Sequence, residues 1–138
     1  MSKELKSKKV HDGFSSQGLY QLRKAHAYKI QFISNFSKLQ SDIHKTAVNK
    51  GWWQNERNDG EILCLIHAEV SEALEALRHG NPPDDKVPEF TGVEAELADV
   101  VIRIMDFAQA RGHRVAEAII AKAEMNKSRA FMHGGKKF

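Results

Sequence analysis

"NDGEILCLIHAEVSEALEALRHGNPP", residues 58–83, is the stretch on which the fold turns. Asn58 followed three residues later by Glu61 has the spacing of a helix N-cap and capping box, so a helix is predicted from near Asp59. Gly80 is a C-cap candidate, and Pro82 and Pro83 forbid continuation. Between these signals Ile62, Leu63, Leu65 and Ile66 spread apolar surface over much more than one stripe. A helix that is apolar nearly all round is buried nearly all round. The same helix nevertheless carries Glu69, Glu72 and Glu75, and a carboxylate near an apolar seam must be neutralised, paired or bound to a cation.

Working outward, the pattern returns. Thr91 and Glu94 form another capping-box pair, and "VEAELADVVIRIMDFAQA" (93–110) runs on to Gly112, again with apolar residues on several faces. Upstream, a helix from about Leu19 to Lys50 places Ile33, Phe36, Ile43 and Ala47 on one stripe, with Ile30 and Leu39 beside it. Its first part, "GLYQLRKAHAYKI" (18–30), reads as a turn or short helix of its own. Gly51 breaks the pattern before Trp52 and Trp53, and "QNERNDG" (54–60) is a polar loop. Downstream, "HRVAEAIIAKAEMNKSRAFM" (113–132) carries Val115, Ile119 and Ala123 and ends at "HGG". No strand-like alternation and no internal repeat is present. The expectation is an all-α bundle of four to five helices in one domain over residues 18–138, behind a basic segment 1–17. So few helices cannot cover two that are apolar all round, so homo-oligomerisation is expected to complete the bundle.

Composition narrows the partners. The chain has 138 residues, of which 41% are hydrophobic and 28% charged, and no apolar run approaches the ~20 residues of a membrane span. No apolar region follows the basic "MSKELKSKKV", so no secretory signal is expected. The single cysteine, Cys64, permits no internal disulfide and points to the cytoplasm. Net charge is +3, but the excess sits at the two ends, in residues 1–9 and at Lys136 and Lys137. No nucleic-acid partner is expected from it.

Two acid pairs carry the chemistry. Glu69 and Glu72 are three apart on one helix, and Glu96 and Asp99 are three apart on the next. Antiparallel neighbours could bring the pairs together, and oxygen ligands alone suit a hard divalent ion, Mg²⁺ or Mn²⁺. The plain alternative is a solvated helix face, where Glu is a favoured residue. Glu75 and Asp106 extend the two rows. "HAE" (67–69) imitates a zinc-deaminase motif, but no P-C-x-x-C follows, and neither H-E-x-x-H nor a phosphate-binding glycine loop is present.

"EVSE" (69–72) followed after 23 residues by "ELAD" (96–99) resembles the E-x-x-E, spacer, E-x-x-D signature of the all-α MazG-like nucleoside triphosphate pyrophosphohydrolases. That family is related to dimeric dUTPases, dCTP pyrophosphatases and phosphoribosyl-ATP pyrophosphatase. "KGWW" (50–53), "GEILCLIHAEVSEALEALR" (60–78) and "KAEMNKSRAFMHGGKKF" (122–138) resemble its members as well. The resemblance implies Mg²⁺-dependent cleavage of a (deoxy)nucleoside triphosphate to the monophosphate and pyrophosphate, by a homodimer or homotetramer. It implies metal ligation by Glu69, Glu72, Glu96 and Asp99, with either Glu69 or Glu72 taking a proton from water. It also implies phosphate contacts from Lys122, Asn126 and Arg129, at i, i+4 and i+7 of the fourth helix, and base contacts from His44 and Trp53. Some members carry a further Glu just before the first motif acid; here that position is Ala68. Two other readings stand beside it: a phosphoribosyl-ATP pyrophosphatase, and a non-enzymatic helical oligomer that binds nucleic acid or a protein.

Overall fold

The computed structural model describes residues 15–129, and the expected features at residues 1–14 and at Lys136 and Lys137 lie outside them. Four α-helices make up the described chain: α1 (Ser16–Asn49), α2 (Asp59–Arg78), α3 (Gly92–Arg111) and α4 (Val115–Lys127). The chain is all-α. The only strand-like feature among the described residues is one isolated bridge between Pro83 and Thr91. None of the described helices is long and apolar enough to cross a membrane.

Local chemistry sets the helix ends. The Asn58 side chain accepts from Glu61 N at 3.2 Å and starts α2. At α3 the capping box is complete: Thr91 Oγ1 accepts from Glu94 N while Glu94 Oε2 accepts from Thr91 N at 2.8 Å. Gly112 closes α3 in the left-handed region at φ 67°, which a residue with a Cβ rarely adopts.

Two expectations are corrected. The segment 18–30 is not separate; Ser15 Oγ accepts from Gly18 N at 3.1 Å, and α1 runs unbroken for 34 residues. The fourth helix is shorter than its apolar pattern, stopping at Lys127, where Ser128 Oγ donates to Met125 O at 2.8 Å and competes with the helical pattern. Arg129 therefore stands beyond the helix rather than on a face with Lys122 and Asn126.

Helix α3 is the hub. It packs on α2 and on α1, and α4 packs on α1. Gly92 lets α3 begin close against α2, since a Cβ there would lie 3.0 Å from the Ala76 Cβ. From that point contacts run in opposite directions along the pair, from Glu69 against Arg103 to Asp59 against Arg111, so α2 and α3 are antiparallel. The side-by-side order α2, α3, α1, α4 leaves little interior. Among the described residues only Ile62, Ala73, Met105, Ala108 and Ala116 are buried apolar residues. Leu63, Val70, Leu74 and Leu77 on α2 remain 45–60% exposed, as do Leu97 and Val101 on α3 at 50% and 47%.

Candidate metal centre

The antiparallel register carries Glu69 and Glu72 of α2 to Glu96 of α3. One carboxylate oxygen from each lies within 4.8 Å of the others. Glu69 is buried at 5% exposure, Glu96 is half-buried and Glu72 is exposed. Asp99, the fourth acid expected here, lies outside that group; it lines an adjoining cavity and acts on Glu96 through its charge.

This crowding has an electrostatic signature. The Glu96 carboxyl is raised above its ordinary range, first by burial, then by its hydrogen bond to Glu69, then by the charges of Glu72, Glu69 and Asp99. A carboxyl raised in the fold stabilises the protein below its unfolded value, and that contribution is lost as pH rises through the folded value. The metal-free chain is therefore expected to lose thermal stability as pH climbs past the usual carboxylate range. Melting in EDTA across that window should show the slope in wild type and a flatter profile in Glu96→Gln; parallel profiles would count against the crowding. The donor set fits a hard divalent cation, because it is all oxygen, comes from two rigid helices, and contains a carboxyl that like charges disfavour as an anion.

One cation already reaches this group. Arg103 Nη2 lies 2.6 Å from Glu69 Oε1. Arg103 belongs to a stripe that the sequence already displays, since Glu96, Asp99, Arg103 and Asp106 fall at i, i+3, i+7 and i+10 on one helical face.

Beside the acids, α1, the loop carrying Trp52, α2 and α3 line an open cavity of about 530 Å³. This is within the usual range for small-molecule sites, about 300–1,000 Å³. Its wall is apolar at Ile43, Ile62, Leu65 and Ile102, cationic at Lys50, Arg57 and Arg103 and acidic at Asp42, Asp99 and Asp106. Trp52, 55% exposed, lines it, and the Arg57 guanidinium stands 5.7 Å from its ring centroid.

His44 and Trp53 meet, but on a carboxylate. Asp106 accepts from Trp53 Nε1 at 2.9 and 3.1 Å and from His44 Nδ1 at 2.7 Å, while the two rings stand edge to face at 5.4 Å. The Trp53 N–H and the His44 Nδ1 are thus engaged with α3, and Asp106 itself lines the cavity. Arg57 and Arg111 flank the Trp53 ring, each 5.5 Å from its centroid, and Arg111 is anchored by Asp59. Loop and bundle are tied together here. Lys122, Asn126 and Arg129 make no hydrogen bond or ion pair with the acidic group among the described residues; Arg129 Nη1 donates to Asn126 Oδ1 at 3.4 Å.

Comparison with protein-family models, with curated proteins and with solved structures gave no match.

Proposed function

We propose that this chain is a divalent-metal-dependent pyrophosphohydrolase that cleaves a (deoxy)nucleoside triphosphate to the monophosphate and pyrophosphate. The observation that supports this most is the convergence of Glu69, Glu72 and Glu96 oxygens within 4.8 Å, linked through Arg103 to a cavity of about 530 Å³ whose wall carries Trp52, the cations Lys50, Arg57 and Arg103, and the acids Asp42, Asp99 and Asp106. An apolar pocket with a few convergent charged groups suits a ligand that is aromatic at one end and anionic at the other.

Mg²⁺ or Mn²⁺ bound by Glu69, Glu72 and Glu96, with Asp99 at the cavity edge, would screen the phosphate charge and acidify a water. Glu72 is the carboxylate freest to accept that water's proton. It is exposed and has no hydrogen bond or ion pair among the described residues, whereas Glu69 is held by Arg103. Arg57 and Lys50 supply positive charge to the phosphates from the cavity wall, Arg57 through a planar fork suited to their oxygens. The exposed indole of Trp52 offers a stacking face for a base, and Asp106 fixes His44 and Trp53 behind it. The exposed stripe on α2 supports assembly as a homodimer or homotetramer.

A panel of dNTPs, NTPs and phosphoribosyl-ATP with Mg²⁺ or Mn²⁺, scored separately for pyrophosphate and orthophosphate, tests the reading. Pyrophosphate with the matching monophosphate is expected from at least one nucleotide. Orthophosphate as the product would overturn cleavage between the α and β phosphates, and silence across the panel would favour the non-enzymatic oligomer.

A further inference from the structure

Arg103 joins the acidic cluster to the cavity. Its guanidinium reaches Glu69 at 2.6 Å, and the same residue lines the cavity beside Asp99. Glu69 is 5% exposed, and a carboxylate so deep is costly to ionise unless an opposite charge compensates it. The Arg103 side chain is 33% exposed, so it is not locked inside the bundle. A guanidinium carries five N–H donors in one plane, more than one carboxylate oxygen can use.

We propose that Arg103 is an internal counter-cation: it holds Glu69 while the metal is absent, yields that oxygen when a divalent ion binds, and then serves the phosphates of the nucleotide in the cavity. The inference rests on the metal-dependent reading above and adds a positioning residue to it. Two cations competing for Glu69 repel each other, so metal binding weakens the Arg103–Glu69 pair. The released guanidinium is already at the cavity wall, and its planar fork matches phosphate oxygens better than an ammonium would.

The proposal predicts effects of opposite sign. Loss of Arg103 removes a competitor of the metal and also removes a partner of the phosphates. A residue that merely supports the fold would weaken both kinds of binding together.

The test uses the full chain and two probes, Mn²⁺ alone, followed by the spin-resonance signal of the free ion, and inorganic tripolyphosphate at saturating Mn²⁺. Arg103→Met, which keeps the apolar stem, is expected to bind Mn²⁺ roughly tenfold more tightly than wild type at neutral pH, as removal of a nearby charge requires. The same variant should bind tripolyphosphate roughly tenfold more weakly, having lost a charge-assisted contact. Arg103→Lys should restore wild-type Mn²⁺ affinity. If Arg103→Met does not fold, Arg103→Gln, which keeps a donor for Glu69 without the charge, carries the same two expectations. Mn²⁺ affinity equal to or weaker than wild type in a folded neutral variant overturns the counter-cation, and undiminished tripolyphosphate binding overturns the transfer to phosphate. Wild type that binds no Mn²⁺ overturns the metal-dependent reading itself, a failure distinct from either of these.

Discussion

Glu72→Gln is expected to lower the rate of pyrophosphate release by about 10²–10⁴-fold, the range associated with loss of a general base. The substitution keeps shape and removes the charge, the proton-accepting oxygen and one of the three carboxylates assigned to the metal, so Mn²⁺ binding measured beside turnover separates loss of the base from loss of the ion. Glu72 is exposed and without a hydrogen-bond partner among the described residues, so stability should change by no more than about 0.5 kcal/mol. Melting would then separate a chemical effect from a folding one. Glu75→Gln is the matched control, one helical step along the same row. Glu75 is committed to Arg78, with Nη1 at 3.3 Å, and to His79 on the exposed surface, and is not one of the clustered acids, so its loss should leave turnover within about twofold, as surface substitutions usually do. Steady-state turnover with the preferred nucleotide, scored for pyrophosphate, checks both. A Glu72→Gln enzyme with wild-type turnover would sink the assignment of the base.

What could be read from the sequence divides along a physical line. The Asn58, Thr91–Glu94 and Gly112 helix ends were legible because a cap is decided by residues within one turn of each other. The acid pairs were legible because their spacing places each on one helical face, and the antiparallel packing of α2 and α3 brings Glu69, Glu72 and Glu96 together. The continuous start of α1 was not legible: local propensity around "GLYQLRKAHAYKI" left a break open, and the Ser15 cap removes it. Less accessible still were the roles of Arg103 and Asp106. Arg103 lies on the acidic stripe, but which acid it meets depends on the register of α2, and that register follows from the close approach at Gly92. Asp106 was legible only as an extension of a row, since the partners that define it, His44 and Trp53, are 62 and 53 residues away. Sequence patterns report faces; the pairing of faces across elements needs the fold.

The second large effect is expected from the outer stripe of α2. The residues that α2 turns inward, Ile62, Glu69 and Ala73, are each followed by one of Leu63, Val70 and Leu74, a step of about 100° around the axis. With Leu77 these form a second apolar stripe, left 45–60% exposed by a single chain. Burying such a side chain contributes about 1.5–3 kcal/mol, and a two-fold symmetric contact counts each one twice. The double substitution Val70→Lys and Leu74→Lys would place four like charges at such a contact. Wild type is expected to migrate as a dimer or tetramer, and the double variant at the 15.6 kDa of one chain, with its melting point lowered by at least about 10 °C. Light scattering on a sizing column and thermal melting measure the two outcomes. A monomeric wild type, or a double variant that keeps the wild-type mass, would show that this stripe stays in water. Glu69 directly precedes Val70, so a second copy seated on this stripe would brace the helix that carries two of the three clustered acids. Loss of assembly should therefore weaken Mn²⁺ binding as well, and a monomer that binds Mn²⁺ as wild type does would separate the metal centre from the interface.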